Sequence, residues 1–242
     1  MDWQLMLWSL PRFFAGAWLS LELIALSLVA GAALSVPIAF ARVSPRRALW
    51  MPAFTYIFCL RGTPLLVQLY LIYYGAGQFA WVHASPLWPI LRQPFSCAVI
   101  AFALNTAAYQ AEILRGGIMA VPAGEVEAAR ALGMGPWLIL RKIVLPQALR
   151  LTLPAYGNEI ILVVKSSSLA STITLLDITG VARSIVAESF AVYEAFLDAG
   201  AVYLILTFCI TRAVAFAEGR LMRHLRPEDR AAASALEPVG AE

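Results

Sequence analysis

Long apolar runs alternate along the chain with short stretches in which charge collects. Residues 23–41 carry no charged side chain, close to the ~20 residues a helix needs to cross ~30 Å of hydrocarbon. Glu22 stands before this run as a cap, and Arg42, Arg46 and Arg47 follow it. The pattern predicts five spans, at about 18–41, 51–77, 94–118, 153–176 and 195–217. Loops are expected at 78–93 and 177–194, a longer polar loop at 119–150, and a polar tail at 218–242. The first thirteen residues hold Trp3, Trp8 and Arg12, which suit a membrane interface. They lack a basic n-region, and the apolar run after them is too long for a signal peptide, so an uncleaved start is expected.

Composition agrees with an all-α integral membrane protein of one domain, 1–242. The chain is 61% hydrophobic and 14% charged, with mean hydropathy +0.75; soluble domains are about 25% charged. The net charge of +3 is small and its basic residues are scattered in loops, which excludes a nucleic-acid partner. Their placement gives an orientation: arginines and lysines concentrate after span one, in the loop 119–150 and in the tail (Arg220, Arg223, Arg226, Arg230). By the positive-inside rule those segments are cytoplasmic and the N-terminus lies outside.

Enzymatic chemistry finds no support. Cys59, Cys97 and Cys209 are isolated within apolar runs, so neither a disulfide nor a metal site is expected. His83 and His224 fall in loop or tail, leaving no base for an intramembrane serine nucleophile. Asp177 and Asp198 sit at loop edges and do not form a dyad. No G-x-x-x-x-G-K-S/T phosphate loop occurs, so any ATP is hydrolysed elsewhere.

The loop 119–150 is the most informative stretch. After Pro122 and Gly124, residues 125–132 read as a short helix with Glu125 and Glu127 in its first turn, where the helix dipole favours negative charge. Gly133 suits the stop, and Pro136 suits the start of the next helix. Glu127-Ala128-Ala129, then Gly133, Ile143 and Leu145-Pro146 form E-A-A-x3-G-x9-I-x-L-P. This spacing resembles the signature of permease subunits of ATP-binding-cassette (ABC) importers. In that family the segment is a cytoplasmic coupling helix that docks on an ATPase subunit. The resemblance assigns ATPase coupling to Glu125, Glu127, Ala128, Ala129, Leu132, Gly133, Ile143, Leu145 and Pro146.

Polar groups inside the spans are costly and point to a bundle interior or pathway. Arg61 opens R-G-T-P in span two. Asn105, Tyr109 and Glu112 share one helical face in span three, and Arg115 is placed to pair with Glu112. Glu159 and Lys165 punctuate span four. Arg61, Asn105, Tyr109, Glu112, Glu159 and Lys165 are therefore pathway or substrate candidates, the two glutamates suiting a cationic side chain. These segments, with A-R-V-S at 41–44 and L-P-A-Y-G-N-E-I-I-L at 153–162, resemble polar amino-acid permeases. They are most like the M-type subunit of histidine/lysine/arginine/ornithine and opine importers. Cys59-Leu60 departs from that subgroup by lengthening the aromatic run before R-G-T-P. The resemblance implies a type I ABC importer permease fold in a bacterial inner membrane. It also implies ATPase subunits that hold ATP and magnesium, a second homologous permease and a periplasmic amino-acid-binding protein. The alternatives are a subunit for opines or other polar amino acids, or a non-transporting membrane scaffold that keeps the docking loop.

Overall fold

The structure, a computed structural model, describes residues 3–221; His224, Arg223, Arg226 and Arg230, with the rest of the tail beyond 221, lie outside the described residues. Every regular element among them is a helix. In order these are α1 (Trp3–Val43), α2 (Arg47–Gly62), α3 (Leu65–Tyr70), α4 (Ala80–His83), α5 (Trp88–Leu91), α6 (Pro94–Ala120) and α7 (Ala123–Ala131). α8 (Pro136–Ile139), α9 (Leu145–Ser166), α10 (Ile178–Ser189) and α11 (Val192–Leu221) complete the chain. α1, α6 and α11 are each long and apolar enough to cross a bilayer. Two bent pairs pass the same test together, Arg47–Gly62 with Leu65–Gln78 and Pro136–Ile173 with Ile178–Ser189, which brings the number to five.

α6 is the central post. Small residues on it, Ala101, Ala107, Ala108 and Ala111, are fully buried and let α1 and α9 approach closely. A Cβ on Gly31 of α1 would stand 3.0 Å from Thr106 on α6, and a Cβ on Gly117 of α6 would strike Thr152 on α9. Leu23, Ile24, Leu69, Phe102, Val163 and Ile173 fill the centre between these helices.

Several boundaries differ from the sequence expectation. The interfacial segment and the first span form one 41-residue helix, α1, so Glu22 lies within it and accepts a hydrogen bond from the Trp18 indole at 2.6 Å. Phe13 explains the extension: it is 1% exposed and packs on Ile178, Val181 and Ile185 of α10.

Span two is not one helix. It breaks at Thr63-Pro64 and turns by 104°. Pro64 forces the residue before it out of the helical region, and Thr63 is extended at φ −118°, ψ 144°. Beyond α3 the chain continues through a π turn, Leu71–Gly75, and a 3-10 turn, Ala76–Gln78. The loop 78–93 contains the short helices α4 and α5.

Span four extends beyond 153–176 at its start, belonging to a helical run, Pro136–Ile173, that includes a π turn at Leu140–Val144. The expected loop 177–194 is largely α10. Its apolar side, Ile178, Val181, Ala182 and Ile185, is buried. Asp177, fully buried, caps it by accepting from the amides of Thr179 (3.3 Å) and Gly180 (3.0 Å). Asp198 lies inside α11, where it accepts from the Ser9 hydroxyl at 2.9 Å.

Candidate docking loop and intramembrane cavity

The loop 119–150 folds much as its residues predict. α7 begins after Pro122 and carries Glu125 in its first turn; Glu127 falls one turn later than expected. The helix ends on Leu132, and Gly133 takes φ +81°, the left-handed region where a side chain is strained. The amides of Gly133 and Met134 donate to the carbonyls of Arg130 (2.9 Å) and Ala129 (3.1 Å). This paired closure satisfies carbonyls that the helix end leaves free.

The two halves of the motif then meet. Ala129 is buried with Val121, Ile139, Val144 and Ala148, and Ile143 packs at the edge of that cluster. A groove of about 430 Å³ runs between α7 and the start of α9, lined by Ala128, Leu132, Ile143, Pro146 and Gln147 among others. Gln147 donates to the Glu125 carboxylate across it. Glu127 and Ala128 are exposed, and Leu132 is 83% exposed. The loop therefore hides one alanine as its own core and offers a glutamate, an alanine and a leucine to the outside. Leu145 is half-buried in the helical turn that begins α9.

Inside the bundle, Arg61, Tyr109, Glu112, Asn158 and Glu159 line a cavity of about 480 Å³ between α2, α6 and α9. A second cavity of about 420 Å³ adjoins it through Arg61, Tyr109 and Glu159, and also touches Asn105. Glu159 is 6% exposed and makes no ion pair or hydrogen bond among the described residues. Arg61 likewise has no ion pair; its guanidinium lies 4.9 Å from the Tyr109 ring centroid, a geometry in which cation and ring attract. The cavity thus presents a carboxylate with no hydrogen bond or ion pair and, within electrostatic reach of it, a guanidinium that lies over a ring.

Other candidates have different surroundings. Asn105 reaches Gln68 Oε1 at 3.1 Å and the Leu60 carbonyl at 3.3 Å. The Gln68 amide reaches the Leu60 carbonyl at 2.8 Å and Thr63 at both its carbonyl (3.0 Å) and hydroxyl (2.9 Å). Breaking span two at Thr63-Pro64 leaves these carbonyls without helical partners, and the two amides supply them. Gln68 was not singled out from the sequence, although it is the one polar side chain in the run 65–72. Glu112 is not available to a cation: Arg42 Nε is 3.0 Å from one carboxylate oxygen and Arg115 Nε 2.8 Å from the other. Arg42 was read only as an orientation charge. Lys165 does not join Glu159; it is exposed over a separate groove of about 620 Å³ with Ser168, Tyr203, Thr207 and Thr211, on the α11 side of α9.

Comparison with known proteins identifies the family and the fold. Residues 23–223 match the family model described as "Binding-protein-dependent transport system inner membrane component". The octopine transport system permease protein OccM of Rhizobium meliloti is 50% identical over 93% of both chains. The nopaline counterpart NocM of Agrobacterium fabrum is 48% identical over 93% of this chain and 94% of its own. The histidine/lysine/arginine/ornithine permease HisM of Escherichia coli K12 is 39% identical over 93% and 95%. Among solved structures, an amino acid ABC transporter crystallised with histidines superposes with TM-score 0.82 at 35% identity, over 91% of this chain and 99% of that one. The inward-facing MetNI methionine transporter, 19% identical with TM-score 0.71, shares the fold. The chain belongs to the family of binding-protein-dependent transport system inner membrane components and is a permease subunit of an ABC importer with the type I fold.

Proposed function

We propose that this permease passes amino acids with a cationic side chain, or opines built on them, into the cytoplasm. The observation that carries the reading is Glu159, a nearly buried carboxylate that lines the cavity with no hydrogen bond or ion pair among the described residues and only the Arg61 charge near it. An unpaired carboxylate in a bundle costs several kcal/mol, roughly, unless a cation or water reaches it. A passing guanidinium, ammonium or imidazolium supplies that cation, and Arg61, lining the same cavity, suits a solute carboxylate. Relatives named for histidine, lysine, arginine and ornithine support the basic class. The higher identity to relatives named for octopine and nopaline favours the opine version.

The remaining parts follow the importer plan. The bilayer is a bacterial inner membrane, with the N-terminus periplasmic and the loop 119–150 and C-terminus cytoplasmic. ATPase subunits hold ATP and magnesium and receive Glu127, Ala128 and Leu132 in a cleft. Glu125, Ala129, Gly133, Ile143, Leu145 and Pro146 keep α7 in shape and tie it to α9. A second homologous permease closes over the side of α9 that carries half-buried Asn158 and exposed Leu162, and a periplasmic binding protein delivers solute from outside. Closure of the ATPases on ATP moves α7, and the run Pro136–Ile173 transmits that movement to the cavity wall.

Uptake of labelled arginine and of glutamine by the assembled importer tests the substrate reading. Glu159→Gln is expected to lower arginine uptake at least tenfold while sparing any glutamine uptake. Equal arginine uptake by wild type and variant refutes contact between Glu159 and the cation.

A further inference from the structure

Arg42, Glu112 and Arg115 form a cluster that the transport reading leaves without a task. Glu112 has both carboxylate oxygens engaged, and the side chains of Arg42 and Glu112 are only 11% and 15% exposed. Arg42 does more than neutralise. Its guanidinium lies 5.1 Å from the Trp50 ring centroid and 5.2 Å from that of Phe54. Those two rings stack at 4.9 Å with 5° between their planes. One side chain therefore joins the last turn of α1, the first turns of α2 and the late part of α6.

The cluster's position along α6 gives it meaning. Glu112 and Arg115 stand on the turns just before Gly117, where α6 and α9 are in close contact: a Cβ there would meet Thr152 and stand 2.8 Å from the Ala148 carbonyl oxygen. α7 begins at Ala123, two turns further on. α6 and α9 are thus the two supports of the loop that carries α7. A push on α7 does useful work only if one support yields and the other does not. Among the described residues α6 is tied to α1 by the Arg42–Glu112 ion pair and, through the Arg42 guanidinium, to the Trp50 and Phe54 rings of α2, while Arg115–Glu112 lies within α6. α9 meets α6 at the Gly117 contact, by apolar packing and by the Tyr156 hydroxyl donating to the Gln110 carbonyl at 3.4 Å, with no ion pair across among the described residues.

We propose that the Arg42–Glu112–Arg115 cluster is a brace that fixes α6 to α1 and α2, so that movement of α7 is delivered to α9, which rocks on α6 at Gly117. Arg42 is then a positioning residue for coupling and not a solute contact. The inference rests on α7 being the ATPase-docking helix, and the experiment separates failure of that premise from failure of the brace.

The test uses the complete importer in proteoliposomes and measures ATP hydrolysed per solute taken up. Glu127→Lys reports the docking premise: loss of the ATPase subunits from the complex supports it, and an intact complex with intact uptake overturns it together with the brace. Glu112→Gln and Arg42→Gln report the brace itself. Both are expected to retain the ATPase subunits and hydrolyse ATP at the wild-type rate or faster, with ATP per solute rising about five- to tenfold. Arg42→Lys, which keeps the ion pair, is expected to recover most of the coupling. A wild-type ratio in Glu112→Gln and Arg42→Gln overturns the proposal. So does a parallel fall of hydrolysis and uptake, which marks a general structural role. If Glu112→Gln does not assemble, Arg42→Gln alone, which removes the same cross-helix pair from the α1 side, gives the readout with the same two outcomes.

Discussion

Gly116 and Gly117 are adjacent in one helix yet are expected to respond to alanine with opposite sign. At Gly116 nothing lies within 4 Å of an added Cβ. Alanine there gains only helix propensity, about 1 kcal/mol. At Gly117 the same methyl meets Thr152 and the Ala148 backbone carbonyl, which cannot move without shifting α9. Overpacking of this kind costs about 1–3 kcal/mol, set against the same propensity gain. The difference between the two variants is therefore about 1–3 kcal/mol, or about 5- to 140-fold in the unfolding equilibrium. Equilibrium unfolding of each purified variant in mixed micelles, titrated with a denaturing detergent, measures it. Gly116→Ala is expected at or above wild-type stability and Gly117→Ala below Gly116→Ala by that margin. Equal stabilities would show that α6 and α9 are not in backbone contact at Gly117, and the fulcrum would lose its basis.

Two further outcomes probe the same chain of reasoning. Gln68→Leu removes three bonds to the Leu60 and Thr63 acceptors and the one it accepts from Asn105, whereas Asn105→Ala removes only two, to Leu60 at 3.3 Å and Gln68 at 3.1 Å. Thermal unfolding should show Gln68→Leu destabilised by about 1–3 kcal/mol and Asn105→Ala by less. Gly133→Ala meets no atom within 4 Å but must hold φ +81°; it should cost about 1–2 kcal/mol locally, read as faster amide exchange confined to α7 and its turn.

The legible parts of this protein were those whose physics is local. Gly133 stops a helix because of its own backbone, and Pro136 starts one for the same reason, so α7 and its turn follow from the residues within two amino acids of their observed ends. Glu112 and Arg115, three apart on one face, pair as their spacing predicts. What failed depends on partners distant in sequence. Arg42 meets Glu112 across seventy positions, and no periodicity signals that a charge read as an orientation marker has turned inward. α10 reads as a loop in the sequence because Asp177, Arg183 and Glu188 interrupt its apolar positions. Yet Asp177 is a buried cap and Glu188 pairs with Arg12 of α1 at 2.7 Å, so the charges stabilise the element they disguised. Span two reads as one apolar run because the helix period cannot show that Pro64 turns the chain by 104° when two amides stand ready to satisfy the break.

If exposed residues of α7 transmit the ATPase cycle to a cavity that takes cationic solutes, uptake must depend on Glu127. Uptake of labelled arginine is the most direct test, in cells lacking their own importers and expressing this chain with its partner subunits, with Glu127 either native or replaced by Lys. The account predicts uptake that requires ATP and falls to background in Glu127→Lys, while the chain itself stays folded in the membrane. Undiminished uptake by Glu127→Lys with the ATPase subunits still bound would contradict it.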